Sequence, residues 1–501
     1  MATEHSRALL LAEQATGRTQ SELERRLDAS VVAVSVDTSM PMNALTARVA
    51  LTTLRRGPGE LVLLRDRLST AIVEQFEAAV GAIDPDRPLR VGRRPGQEPT
   101  ARLHIGRSEE RGAVRIVPDG YGAHVAGMRS AVISPARPGN ALGAVYAAAL
   151  GAAEVFKHAA GVLPTRRVLH RHLRFCPVTL SEDLRVVPDL PEALTLHLAL
   201  IGVGAIGTGI ALILGELGAE GTMLAVDRQR FARENRGTYS LGGADDVTSA
   251  PWKVDLARRA VPKFDVTPYC EPVDKLPAAI DSGELPWYRL ALTGLDSPGA
   301  RREAQRLWPD RLIDGATGDT MVGLHDYGYG HDPCMICVFP VRRDGPSAVD
   351  RLAELTGLPG DLLGQGDKLL AEEHLVGLTH EQRQLLEPHV GKPVCGLARA
   401  AGLTGVEAAG FMPAVPFVSL QAACLSVGRL LAHRLGLDPL TNLVQYDGLF
   451  GPQAATMERM TPRPDCYCQT RTRTISAVRA KRTALLAAKI ALPAKYQRDH
   501  V

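Results

Sequence analysis

The stretch LHLALIGVGAIGTGIALILGEL, from Leu196 to Leu217, decides the fold. Leu196 to Ile201 is apolar apart from His197, so it is expected to be a buried strand, with His197 a tolerated strand residue. The glycines of GVGAIG (Gly202, Gly204 and Gly207) then form a turn, and Thr208 to Leu217 is expected to be a helix. A second apolar strand, Thr222 to Val226, ends at Asp227. Glycines placed this way permit a tight turn and let phosphates approach the backbone at a helix N-terminus. An acid at the end of the second strand accepts hydrogen bonds from a ribose hydroxyl.

Further strands are expected at Arg289–Gly294 and Arg311–Ile313, between helical stretches. Apolar strands alternating with helices build a parallel sheet covered on both faces. The expected class is α/β, with a Rossmann-like nucleotide-binding domain at residues 191–340. Residues 341–394 are polar and punctuated by leucines, with short helices at Leu352–Thr356 and His380–Leu386, and are expected to be a helical insert or lid. Residues 395–475 complete the domain with a long amphipathic helix at Phe417–Leu435, and 476–501 form a basic helical tail. Residues 1–190 are expected to be an N-terminal α+β domain. In it Leu61–Ile83 is a strand entering a helix, Arg102–Ile105 and Gly112–Val117 are strands, and Gly139–Ala160 is an Ala-rich helix. That helix faintly echoes 417–435, but no repeat is legible, and this region carries no catalytic motif.

Composition narrows the function classes. Lys and Arg (58) nearly balance Asp and Glu (55), giving a net charge of +3, so there is no nucleic-acid footprint and no polybasic membrane anchor. The most apolar window, Leu198–Ile213, is broken by four glycines and is not a membrane span; the N-terminus lacks a signal-peptide pattern, and a cytoplasmic setting is expected. There are eight cysteines, and the two close pairs Cys334/Cys337 and Cys466/Cys468 suggest metal rather than disulfides.

The glycine fingerprint alone would suit an NAD(P) oxidoreductase. The residues beyond Asp227 point elsewhere: Asn235 and Arg236, then Lys253, then the turn TGLDS with Asp296. An amide, a cation and a carboxylate near a phosphate turn are what phosphoryl chemistry needs. Together with DPCMICVFP (Asp332–Pro340), KPVCG from Lys392, SLQA from Ser419 and YDG from Tyr446, these landmarks make residues 196–470 resemble the ThiF/MoeB/HesA superfamily, which includes ubiquitin-activating enzymes.

The resemblance implies that Asp227 holds the ribose of ATP, Asn235 and Lys253 its phosphates, and Asp296 a Mg²⁺ ion, so that a substrate carboxylate becomes an acyl-adenylate. It implies that Cys334, Cys337, Cys466 and Cys468 bind structural Zn²⁺, the second pair being C-x-C where the family has C-x-x-C. Cys395 matches a cysteine that can take the activated acyl group as a thioester. The carboxylate would be the C-terminus of a ubiquitin-like or sulfur-carrier protein, or else a ribosomal peptide or small carboxylate. Relatives with one nucleotide domain pair as homodimers, with an N-terminal arginine reaching the other subunit; Arg7 and Arg18 are the candidates here. Residues 1–190 would be a recognition domain or a degenerate second adenylation half. One departure stands out: the family's Asn-Leu-x-Arg reads NRGT here, which places Thr238 at the arginine position and leaves Arg236 or Arg233 to supply the charge. A scaffold that binds ATP without turnover is the alternative. Cys424 is expected in the core, with Cys176 and Cys270 structural.

Overall fold

The computed structural model describes residues 6–65, 68–92, 98–107, 113–127, 135, 137–162, 172–183, 187–318, 320–340, 348–364, 368–392, 394, 397, 401, 415–437 and 440–491. Its first sheet contains β1 (Val31–Val36), β2 (Glu60–Leu64), β3 (Arg90–Gly92), β4 (Ala101–Ile105), β5 (Val114–Asp119), β6 (Gly122–Ala126) and β7 (His172–Phe175). The spatial order is β3-β2-β1-β4-β5-β6-β7. The first five of these are mutually parallel, and β6 and β7 close the edge antiparallel.

The second sheet contains β8 (Thr195–Ile201), β9 (Glu220–Val226), β10 (Phe264–Tyr269), β11 (Leu290–Thr293), β12 (Arg311–Gly318), β13 (Met321–Gly328), β14 (Leu443–Asp447) and β15 (Thr456–Glu458). Its order is β10-β9-β8-β11-β12-β13-β14-β15, again parallel through the first five and antiparallel after β12. Strand for strand this is the first sheet with one strand added.

The connections repeat as well. Helix Pro41–Arg55 follows β1 as helix Ala205–Glu216 follows β8. Helix Ala141–Ala160 lies between β6 and β7 as helix Pro416–Arg434 lies between β13 and β14. The echo between the two long helices therefore marks a repeated topology that hydrophobic patterning did not disclose.

Helix Pro416–Arg434 corrects the expectation of an amphipathic helix, because it is buried all round from Pro416 to Ala432. It packs on β12 and β13 on one side, on helix Ala205–Glu216 on another, and on helix Ala141–Ala160 across the middle. Small residues (Ala422, Ala423, Cys424, Gly428) allow that approach, and a helix between two sheets has no solvent face to mark with charge. The two central helices meet through Phe156 against Phe417, ring centroids 5.4 Å apart. The hydroxyls of Tyr146 and Tyr446 are hydrogen-bonded at 3.2 Å. One apolar core runs through both halves. Cys176 and Cys424 are fully buried within it.

Polar groups pin this helix to its sheet. Asp326 on β13, 4% exposed, accepts from His433 Nε2 at 2.8 Å and pairs with Arg311 at 3.1 Å and buried Arg429 at 3.6 Å. Burial alone would raise its carboxyl, but His433, Arg311 and Arg429 hold it below the ordinary 3.8. A depressed carboxyl contributes stability that is fully present above the unfolded value and is lost as pH falls through the folded one. Asp326→Asn is therefore expected to cost about 3–5 kcal/mol at neutral pH, because Arg429 is left buried without its counter-charge. The deficit should shrink below about pH 4. Denaturant unfolding at several pH values checks this, and a pH-independent deficit would refute the electrostatic account.

The segment after β13 forms a separate small apolar cluster from Leu352, Leu358, Leu362, Leu363, Leu370, Leu375, Leu386, Val394 and Leu397. Helix Thr472–Ala491, expected as a basic tail, is docked on the second half. The Arg482 guanidinium is bidentate on Asp281 at 2.7 and 3.0 Å, and Arg479 lies 3.7 Å above the Tyr329 ring. Among the described residues no helix is long and apolar enough to cross a membrane.

Candidate functional site

The carboxyl ends of β8, β9 and β11 bring the candidate residues together. Gly202 ends β8 with φ +87°, a left-handed conformation that favours glycine, and a Cβ there would lie 2.9 Å from Gly294 O. A Cβ on Gly207 would meet Gly202 O at 2.1 Å, so this glycine lets the helix pack against its own turn. Gly204 differs. A Cβ there would touch Tyr239 Oη at 3.7 Å and Gly294 O at 4.0 Å, ordinary contact distances, so an alanine fits at this position without a clash. Gly204 is also the N-cap of helix Ala205–Glu216 and supplies no side-chain cap, so the helix's first amides have no side-chain acceptor from it.

The two glycines separate by experiment. Gly207→Ala is expected to destabilise the protein by about 1–3 kcal/mol through overpacking. Gly204→Ala should melt like the wild type and bind nucleotide at least roughly tenfold more weakly, a loss of about 1.4 kcal/mol. Melting curves and calorimetric titration check both, and a Gly204→Ala protein with undiminished affinity would remove this loop from the site.

Asp227 lies just beyond β9. Its Oδ2 accepts from Val203 N and its Oδ1 from Gln229 N, each at 2.9 Å. Burial pushes its carboxyl up, Lys253 opposes that shift, and Asp296 adds to it, so the three charges share one neighbourhood. Lys253, 2% exposed, opens helix Lys253–Ala260. Its Nζ donates to Gln229 Oε1 at 2.6 Å and to Tyr239 Oη at 2.5 Å. An ammonium at the positive end of a helix is poorly placed for the helix and well placed for an anion. Asp296 is exposed in the turn after β11, and Ser297 next to it, not Asp296, caps the following helix by accepting from Ala300 N at 3.2 Å. The carboxylate of Asp296 is therefore not used as a cap, and its charge is felt by Asp227.

The turn that holds Asp296 is braced from behind. Arg301 donates to Leu295 O at 2.7 Å and pairs with buried Asp314 at 3.1 Å; Asp314 accepts from Thr293 Oγ1 at 2.5 Å and contacts His325 Nδ1 at 3.3 Å. Burial alone would raise the Asp314 carboxyl, but Arg301, His325 and Thr293 hold it below the ordinary value.

The loop after β9 holds the remaining candidates. Asn235 is buried and its Oδ1 accepts from Ala232 N at 2.9 Å, which closes its own turn. Thr238, at the family's arginine position, is 1% exposed, and its hydroxyl donates to Asn235 O at 3.3 Å. Arg236 is half-buried, and its charge is felt by Arg56 and Asp84 of the first half, which sets it on the side of the loop toward that half. Arg233 is exposed. Of the N-terminal arginines, Arg18 pairs with Glu22 at 2.8 Å, and the Arg7 side chain lies outside the described residues. Cys395 also lies outside them.

Sequence reasoning missed Tyr239, Gln229, Arg301 and Asp314. Tyr239 immediately follows the NRGT run, but nothing in its spacing shows that its hydroxyl reaches Lys253.

The four cysteines named from spacing converge. Cys334, Cys337 and Cys466 are buried and Cys468 is half-buried, with all four sulfurs within 4.8 Å of one another. Individual separations are 3.9 Å (334–337), 3.6 Å (334–466) and 3.5 Å (337–468). A Zn–S bond of about 2.3 Å places neighbouring sulfurs of a tetrahedron roughly 3.8 Å apart, so this donor set can hold a metal such as zinc.

No family model matches this chain, and no curated protein is detectably similar to it in sequence. Solved structures with partial similarity to this chain include E. coli MccB, with 13% identity and a TM-score of 0.35 over 56% of this chain and 65% of that one. E. coli MccB with selenomethionine MccA gives 13% and 0.34 over 54% and 65%. Selenomethionine PaaA gives 15% and 0.29 over 54% and 64%. Each match thus spans just under two thirds of the neighbour's length, and likeness at these scores decides nothing about the chemistry of the site.

Proposed function

We propose that this chain is an adenylating enzyme that activates a carboxylate with Mg-ATP. The observation that carries the reading is the convergence of a tight glycine turn, an uncapped helix N-terminus, a buried lysine and an exposed aspartate near the ends of β8, β9 and β11. A carboxylate oxygen attacks the α-phosphorus, the bond to the β-phosphate oxygen breaks, and the products are an acyl-adenylate and pyrophosphate. The amides at Gly204 and the Lys253 ammonium take up charge on the phosphates. Asp227 holds the ribose, and Asp296 supplies an oxygen for Mg²⁺. Asn235 acts through its loop.

The substrate in this reading is the C-terminal carboxylate of a small carrier protein or a peptide, and Cys395 would receive the acyl group if a thioester forms. The repeated topology supports reading residues 1–190 as a second half of the same fold that is paired within the chain, as a homodimer partner would be. The burial of Thr238 where the family has arginine favours one other reading, a nucleotide-binding scaffold without turnover.

The test is ATP–pyrophosphate exchange with candidate carriers and peptides, run alongside calorimetry of Mg-ATP and NAD⁺, on wild type and Asp296→Ala. Asp296→Ala should fold normally, because the residue is exposed, and lose exchange. Tight ATP binding without exchange would leave the scaffold; NAD⁺ binding without ATP would end the adenylation reading.

A further inference from the structure

The loop that carries Asn235 and Tyr239 is gripped by the first half. Arg56, at the end of helix Pro41–Arg55, is 4% exposed and crosses to the second half. Its Nη1 donates to Arg236 O at 2.6 Å, and its Nη2 donates to Ser240 O at 3.2 Å and Gly242 O at 3.0 Å. The neighbouring Gly243 lies so close to the end of helix Thr70–Ile83 that a Cβ on it would stand 2.0 Å from Ala82 O. Three backbone carbonyls on one buried guanidinium fix a loop far more firmly than a surface contact does, since breaking them strands the charge.

The fixed loop reaches the site at two points. Between the carbonyls held by Arg56 stands Tyr239, whose hydroxyl takes the Lys253 ammonium at 2.5 Å and lies within contact distance, 3.7 Å, of where a Cβ on Gly204 would be. Ser240 N donates to Thr208 Oγ1 at 3.2 Å, which ties the same loop to the helix behind the glycine turn. The first half carries no nucleotide turn of its own. From Asp37 to Arg56, where the second half has its glycines, there is none, and Pro41 opens the helix.

We propose that Arg56 is a positioning residue for nucleotide binding, and that the first half serves to hold the 236–242 loop so that Tyr239 sets Lys253 against the glycine turn. One chain then contains one complete site. The inference rests on the adenylation reading and deepens it.

Arg55 provides the internal control. It is equally buried, but its guanidinium donates to Gly57 O, Gly59 O and Arg87 O, all within the first half. The experiment compares Arg56→Lys, Arg55→Lys, Tyr239→Phe and the Arg56→Lys/Tyr239→Phe double variant. KM for Mg-ATP and kcat are measured in pyrophosphate exchange, with melting curves in parallel. Arg56→Lys should raise KM roughly tenfold, the worth of one charge-assisted hydrogen bond, with kcat changed less. Arg55→Lys should melt lower at an unchanged KM. The double variant should be no worse than its worse parent, because both residues act through one contact.

Gly243→Ala tests the same grip with Arg56 intact, and it too should raise KM. Calorimetry should count one nucleotide per chain. A wild-type KM in Arg56→Lys and Gly243→Ala, additive effects in the double variant, or two nucleotides per chain would each overturn the inference while leaving adenylation standing. A wild type that binds no Mg-ATP would overturn both.

Discussion

Lys253→Ala is expected to reduce ATP–pyrophosphate exchange by roughly 10²- to 10³-fold, the usual consequence of removing one group aimed at developing charge. Lys253 is 2% exposed, its Nζ donates to the neutral Gln229 and Tyr239, and its charge is felt by the Asp227 carboxylate, so burial of the ammonium is one cost the site carries. It also opens helix Lys253–Ala260, whose dipole adds to the same positive potential. Arrival of a triphosphate relieves both costs, and that relief is binding energy. The site should therefore lose affinity and rate together, since the phosphates are charged before and during transfer.

Lys253→Arg discriminates charge from shape: the fork of a guanidinium cannot occupy the gap between Gln229 Oε1 and Tyr239 Oη as a point ammonium does, so rescue should be partial. Melting curves must accompany the kinetics, because alanine also leaves the Tyr239 hydroxyl without its Lys253 bond. Exchange within a few-fold of wild type in a folded Lys253→Ala protein would show that the phosphates sit elsewhere.

The second half was legible because its information is local. A run of six strand residues, three glycines and an acid just past the next strand specify a turn that any continuation of the chain must respect, and the turn from Gly202 to Gly207 forms accordingly. The four cysteines were legible for a related reason: few residue types bind a soft metal, and they occur in two close pairs.

What stayed hidden depends on contacts distant in sequence. Helix Pro416–Arg434 could not be recognised as buried all round, because its partner, helix Ala141–Ala160, lies more than 250 residues away. Arg56 reads in sequence as one more surface arginine, and only the fold shows that its partners are carbonyls 180 residues on. The repeat itself was invisible because sheet order is set by which strands pair, and many apolar sequences pair equally well.

Removing the metal should have the other large effect. A zinc in the four-cysteine site would join the Cys334–Cys337 turn after β13 to Cys466 and Cys468, just ahead of helix Thr472–Ala491. Zinc bound to four thiolates is worth about 10–16 kcal/mol in small peptides, comparable with the whole stability of a domain at about 5–15 kcal/mol. Loss of the ion should therefore release the C-terminal helix, despite the grip of Arg479 and Arg482 on the second half. It should also loosen the turn that carries Asp296. Phe339, two residues after Cys337, lies 5.1 Å beneath the Arg301 guanidinium, and Arg301 holds Leu295 O beside Asp296.

Cys466→Ser, or chelation of the wild type, is thus expected to lower the melting temperature steeply and to abolish Mg-ATP binding. The first sheet should keep its amide protection, because none of the four ligands belongs to it. Elemental analysis of the purified protein should find one zinc per chain. A protein free of metal that binds ATP tightly and melts as the zinc-loaded form does would show that the four thiols pack without an ion, and that the turn at Asp296 is held by Arg301 and Asp314 alone.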